Sequence, residues 1–121
     1  MVPESADFGE FFEHYIFMEI RAWIDYRRPR TRLPYWRSLS GFEVDFVLDD
    51  EVAIEVKSAT AAQGKHLVAL KALSEEGSPE GRPPMRGYLV CREERPRRMD
   101  GIDILPWREF LERLWDGVIL A

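Results

Sequence analysis

The segment 42–57 alternates apolar and polar side chains with a period of two on either side of a short acidic turn. A period of two places successive side chains on opposite faces of a β-strand, so each half of the segment is predicted to be a strand. One face carries Val44, Phe46, Leu48, Val52, Ile54 and Val56. The other carries Glu43, Asp45, Val47, Ala53, Glu55 and Lys57. The pattern therefore predicts an antiparallel hairpin with its apolar face toward a core.

The turn of this hairpin determines which side chains lie opposite each other. A three-residue loop, 49–51, pairs residues of the same face, whereas a two-residue loop would bury half of the charged side chains. The predicted pairs are Leu48 with Val52, Phe46 with Ile54, Asp45 with Glu55, and Glu43 with Lys57. This register sets the Cβ atoms of Asp45 and Glu55 roughly 5 Å apart.

Two carboxylates at that separation repel each other unless a cation lies between them. Mg²⁺ and Mn²⁺ accept one or two protein carboxylates and keep several waters, so Asp45 and Glu55 are candidate ligands for either ion. Lys57 lies on the same face, where its ammonium group can stabilise charge that develops on a phosphate. Together these groups suit hydrolysis of a phosphodiester. The alternative is an amphipathic hairpin whose polar face meets solvent, with Glu43 and Lys57 as a surface ion pair.

Helical and extended patterns alternate along the rest of the chain. A helix is predicted over about 6–27, and its apolar stripe toward the core comprises Phe8, Phe11, Phe12, Tyr15, Ala22, Trp23 and Tyr26. Strands are predicted over 33–39, 42–48, 52–57, 88–91 and 101–105, a second helix over 61–76, and a proline- and glycine-rich loop over 77–87. A closing helix follows Pro106 and ends at Gly117. This order predicts an α/β fold whose mixed sheet contains an antiparallel three-strand meander and one or two further strands, flanked by helices.

Composition and charge limit the functions open to the chain. Its 121 residues have the size of one domain, 1–121, and no apolar run reaches the length of a membrane span. The single cysteine, Cys91, excludes a disulfide framework and favours a cytoplasmic location. Cys91 ends an apolar strand, where we expect a buried side chain without chemistry. The net charge of −5 argues against nucleic-acid binding through general positive charge.

Basic residues are nevertheless clustered. Arg28, Arg30, Arg32 and Arg37 lie in one stretch, and Lys65 opens the second predicted helix. We expect these five residues to contact the phosphates of a nucleic-acid backbone without reading its bases, and solvated loop charges are the alternative. His14 and His66 have no spacing that forms a metal cluster, so surface or partly exposed positions are predicted for both.

Three acidic positions and a lysine carry a resemblance to a known superfamily. Gly9-x-x-x-Glu13 on a helix, then Asp45, then Glu55-Val56-Lys57 resemble the PD-(D/E)XK nucleases. More narrowly, the run 35–47 together with Ile54-Glu55-Val56-Lys57-Ser58 is similar to the C-terminal domain of unknown function that follows the AAA+ module in bacterial and archaeal ATPases. The resemblance covers nearly the whole chain and implies a restriction-endonuclease-like mixed sheet flanked by helices.

The resemblance also implies roles for individual residues. Asp45 and Glu55 would bind Mg²⁺ or Mn²⁺, Lys57 would orient the attacking water, and Glu13 would complete the site. Val44 stands where the superfamily has its proline. Periodicity offers Glu19 as a second helix carboxylate, with a buried ion pair to Arg37 or another arginine as its alternative role.

Two functions of different classes follow from this sequence. The first is a metal-dependent nuclease that hydrolyses nucleic-acid phosphodiesters, with DNA as the expected substrate. The second is a catalytically inactive nuclease-like module of an AAA+ ATPase that contacts DNA or protein. A homodimer is expected for the nuclease, because cutting two strands needs two sites, and no membrane partner is expected.

Overall fold

The helices and strands follow the predicted α/β order. The protein is described by a computed structural model over residues 6–27, 36–37, 43–48, 51–76 and 86–119. The elements are α1 (Ala6–Arg27), β1 (Trp36–Arg37), β2 (Glu43–Val44), β3 (Phe46–Leu48), β4 (Val52–Val56), a 3₁₀ helix (Gly64–Leu67) that continues as α2 (Val68–Glu76), β5 (Arg86–Cys91), β6 (Arg97–Met99), β7 (Ile102–Pro106) and α3 (Trp107–Trp115). None of the helices in these ranges is long and apolar enough to cross a membrane.

A mixed five-stranded sheet forms the centre of the described fold, with the strand order β3-β4-β5-β7-β6. β4, β5 and β7 run parallel to one another, and β3 and β6 pair antiparallel at the two edges. The predicted register is confirmed where β3 meets β4, since Phe46 lies opposite Ile54 and Leu48 opposite Val52. The hairpin therefore forms one edge of a mixed sheet whose three central strands are parallel.

The three strands of the predicted meander pair antiparallel in the expected order, but they are divided between two sheets. β1 and β2 form a separate two-stranded antiparallel sheet, in which Glu43 pairs with Arg37 instead of Lys57. The chain leaves that small sheet at Asp45 and joins the large sheet at Phe46. A bend at Asp45 therefore separates two strands where the sequence pattern predicts one.

Helices cover both faces of the large sheet. On one face, α1 and α3 pack with strand residues such as Leu48, Ile54 and Val90. On the other face, the 3₁₀ helix and α2 pack with Ala53 and Leu89. The face predicted to be polar is thus covered, and its side chains Val47, Ala53 and Glu55 are buried. The alternative of a hairpin with a solvated polar face is wrong, because parallel strands inside an α/β fold have helices on both sides.

Helix α1 faces the sheet with a stripe that shares Phe12 and Trp23 with the predicted one but is otherwise different. Its buried side chains are Phe12, Ile16, Ile20, Trp23 and Ile24. Phe11, Tyr15, Ala22 and Tyr26 are exposed, whereas the side chain of Phe8 lies outside the described set. Apolar side chains occupy more than half of the helix circumference, so periodicity does not decide which part of that wide surface faces the core. The observed rotation places Glu13 one turn before the buried Ile16, at the border of the core.

Element boundaries differ modestly from prediction. The second helix begins at Gly64 as a 3₁₀ turn, β5 begins at Arg86 within the predicted loop, and β6 was not predicted because Arg97 and Arg98 make it polar. Residues 77–85 lie outside the described ranges. The closing helix is confirmed and is followed by Gly117 at φ 77°, a left-handed conformation that favours glycine.

Candidate active site

Asp45 lies at the bend between β2 and β3, and its side chain accepts a hydrogen bond from the backbone of β4. Its Oδ2 accepts a hydrogen bond of 2.8 Å from the backbone N–H of Val56. The backbone ladder between β3 and β4 extends only to Phe46 and Ile54. The Asp45 carboxylate therefore continues the pairing by one step and is held against the carboxyl end of β4.

Glu55 is the one charged residue that is buried in the described part of the chain, with 6% of its surface exposed. Burial raises the pKa of Glu55 to about 9, and its hydrogen bond with Asp45 and the negative charge of Asp45 act in the same direction. At neutral pH Glu55 is consequently protonated and donates its proton to the Asp45 carboxylate. The two predicted metal ligands are in contact and share one proton.

Lys57 and Glu13 complete a four-residue cluster. Burial and the negative charge of Asp45 raise the pKa of Glu13, while the positive charge of Lys57 lowers it. Lys57 and Glu13 also act on Glu55, in opposite directions. The structure thus brings together the four residues predicted for the site. Glu19 is half-buried, and it is not among the described charges that act on Glu13 or Glu55. Arg37, its predicted ion-pair partner, has a side chain outside the described set.

A glycine allows α1 to approach this cluster. A Cβ atom on Gly9 would lie 3.2 Å from Oγ of Ser58, which directly follows Lys57. Glu13 is one helical turn further along α1. The close contact at Gly9 therefore sets how near the Glu13 carboxylate comes to the end of β4.

The residues present fit a divalent cation. Two carboxyl groups that share a proton offer oxygen ligands once the proton leaves, and Mg²⁺ commonly binds through one or two carboxylates with waters in its other positions. A cation between Asp45 and Glu55 would also remove their repulsion. Within the described ranges, no three or more His, Cys, Asp or Glu residues are arranged as a ready metal cage. Any cation here would depend on the carboxyl pair and on water.

Comparison with known proteins identifies the family of this chain. The family model described as Domain of unknown function (DUF4143) matches residues 8–110. The chain belongs to this family. No curated protein and no solved structure matches the chain. The DUF4143 description states no activity, so the PD-(D/E)XK resemblance stays a prediction.

Most of the basic residues predicted to bind a nucleic acid lie outside the residues that the structure of this DUF4143 chain describes. Arg28, Arg30 and Arg32 lie outside the described residues, and the side chain of Arg37 does as well. Lys65 is exposed on the 3₁₀ helix, and its charge acts on the neighbouring His66. Among these five residues, only Lys65 therefore has a described side chain.

The sequence prediction missed the role of His66 in the local structure. His66 is half-buried, and its Nδ1 accepts a hydrogen bond of 2.9 Å from the backbone N–H of Gln63. Burial and the positive charges of Lys65 and Lys57 lower the pKa of His66. Its three-residue separation from Gln63, at the start of a helix, is the sequence signal that indicates such a cap. Cys91, by contrast, is buried as predicted.

A second network holds the loop between Lys57 and the 3₁₀ helix. The Glu93 carboxylate accepts the backbone N–H of Ala62 at 2.6 Å and pairs with Arg97 at 2.8 Å. Arg97 in turn donates to the carbonyl oxygen of Ala62 at 2.8 Å. Both backbone groups of Ala62 are thus satisfied by one ion pair, and the loop that joins Lys57 to His66 is fixed to the segment after β5. No local pattern in the sequence indicates this long-range contact.

Proposed function

We propose that this domain hydrolyses nucleic-acid phosphodiesters with Mg²⁺ or Mn²⁺. The observation that carries the proposal is the hydrogen-bonded pair of the buried Glu55 and the half-buried Asp45, on which the charges of Lys57 and Glu13 also act. Burial of a carboxyl group in contact with a second one is costly, and strongly shifted carboxyl groups such as Glu55 are concentrated at functional sites. A structural role would be met more cheaply by apolar side chains at these positions.

The residues of the cluster have separate roles in this proposal. Asp45 and Glu55 would hold the cation, which supplies Lewis-acid polarisation of the phosphate group and acidifies water. Lys57 presents a positive charge where negative charge develops on the phosphate oxygens. Glu13, whose pKa is raised, would take a proton from the attacking water. The hydrogen bond from Val56 N–H keeps the Asp45 carboxylate in position.

The experiment compares cleavage by two lysine variants. Plasmid, single-stranded and branched DNA are incubated with the protein and either Mg²⁺ or Mn²⁺. Lys57→Ala should lower the cleavage rate by about 100-fold or more, because the variant lacks the charge that faces the phosphate. Lys71→Ala is the matched control, since Lys71 forms an exposed ion pair with Asp100 away from the cluster.

Two results would contradict the proposal. One is the absence of metal-dependent cleavage of any of these substrates by the wild-type protein. The other is equal cleavage by Lys57→Ala and Lys71→Ala. Metal-independent DNA binding without cleavage would favour the inactive binding module instead.

A further inference from the structure

One ring nitrogen of His66, Nε2, has no hydrogen-bond partner among the described residues. Its Nδ1 is occupied as the acceptor of the Gln63 N–H, and its own backbone N–H donates to the Gln63 carbonyl oxygen at 2.9 Å. In a neutral imidazole, an acceptor at Nδ1 leaves the proton on Nε2. His66 therefore presents a hydrogen-bond donor at Nε2, with its ring held by the 3₁₀ helix.

The surroundings of His66 favour the neutral ring and an anionic ligand. Burial and the charges of Lys65 and Lys57 lower its pKa, which favours the neutral ring. The positive charges of the same two lysines act on the ring that carries the Nε2 donor. A phosphate group, which is anionic and accepts hydrogen bonds, suits this combination better than a neutral base edge.

The loop between Lys57 and His66 is rigidly anchored. Arg92 donates to the carbonyl oxygen of Ser58 at 3.3 Å, and the backbone N–H of Arg92 donates to the Ala59 carbonyl oxygen at 2.9 Å. Glu93 and Arg97 hold Ala62. Lys57 and His66 consequently keep a fixed separation, as two donors to one extended ligand require.

We propose that His66 is a substrate-binding residue whose Nε2–H donates to a non-bridging phosphate oxygen of the nucleic-acid backbone, alongside Lys57. The inference rests on the proposed function and extends it, because it assigns substrate binding to a residue outside the acidic cluster. Since the contact is to phosphate, it holds the backbone in register without selecting a base.

Two substitutions separate binding from capping. In His66→Asn, the short side chain keeps an acceptor near the position of Nδ1 for the Gln63 N–H but lacks the distal donor. In His66→Gln, the longer amide keeps a donor near the position of Nε2. His14→Asn is the matched control, because His14 is exposed on α1. Binding of a fluorescein-labelled DNA oligonucleotide is measured by anisotropy in EDTA, and cleavage kinetics are measured with Mg²⁺.

We expect His66→Asn to weaken oligonucleotide binding and raise KM by about tenfold, since it removes one hydrogen bond to a charged group. Its melting temperature should match that of the wild type, and His66→Gln should recover most of the affinity. Wild-type affinity in His66→Asn would overturn the inference, as would equal losses in both variants with a lowered melting temperature. If the wild-type protein itself neither binds nor cleaves DNA, the proposed function fails and this inference fails with it.

Discussion

Single residues determine how this molecule should respond to pH. Glu55 is protonated when the protein is folded and ionised when it is unfolded, over the range between its ordinary pKa and about 9. The folded state therefore binds more protons in that range, and the free energy of unfolding falls as the pH rises. The stabilising contribution is complete below about pH 4.5 and is lost as the pH approaches 9. The raised pKa of Glu13 acts in the same direction.

Glu55→Gln should remove most of this pH dependence. The glutamine amide can still donate to Asp45 but does not titrate, so stability near pH 5 should change little. Above pH 7 the variant should be more stable than the wild type, with a difference that grows by up to about 1.4 kcal/mol per pH unit. Urea unfolding in EDTA at pH 5, 7 and 9 measures this effect. Equal slopes for wild type and Glu55→Gln would show that Glu55 does not hold a proton in the folded state.

At the residue scale, the sequence could predict the main members of the site. Strict alternation and the loop length brought Asp45 and Glu55 to the same edge of a hairpin, and Lys57 followed from its spacing. Their contact, however, depends on the bend at Asp45 and on its hydrogen bond to Val56 N–H. His66 could not be assigned, because the electrostatic effect of Lys57 on it depends on tertiary packing of the 3₁₀ helix.

At the scale of elements, the contact between α1 and the end of β4 sets the position of Glu13. Gly9 permits this contact, because any larger residue would place a Cβ atom 3.2 Å from Oγ of Ser58. Periodicity predicted helix α1 but not its orientation, since aromatic and aliphatic side chains cover adjoining parts of its surface. The buried isoleucines at 16, 20 and 24 determine the orientation, and with it the carboxylate that joins the site.

A double-mutant cycle tests this contact. Gly9→Ala adds helix propensity worth up to about 1 kcal/mol, but in the wild-type background it also crowds the Ser58 hydroxyl. In a Ser58→Ala background the crowding is absent. We expect Gly9→Ala to be more favourable in that background by about 0.5–1 kcal/mol of unfolding free energy. Chemical denaturation of the four proteins gives the coupling energy, and strict additivity would contradict the close approach.

At the scale of the whole molecule, helices cover both faces of the large sheet. The polar position Glu55 on β4 is therefore buried. Alternation along β4 suggests a solvated face, yet 3₁₀ and α2 residues cover it, so Glu55 is removed from water. The sequence could predict the α/β class from the order of elements. It could not predict the covering of the second face, the small β1-β2 sheet or the Glu93–Arg97 pair, which all depend on contacts between distant segments. The expected homodimer and ATPase partner stay predictions.

Calorimetric titration with Mn²⁺ near pH 7.5, in buffers of different ionisation enthalpy, tests the carboxyl pair most directly. One Mn²⁺ ion should bind and displace about one proton, because the cation replaces the proton shared by Asp45 and Glu55. Asp45→Asn should abolish saturable binding, whereas Asp25→Asn, an exposed position on α1, should leave it unchanged. Mn²⁺ binding without proton release, no saturable heat, or equal binding by the two variants would contradict a cation site at this pair.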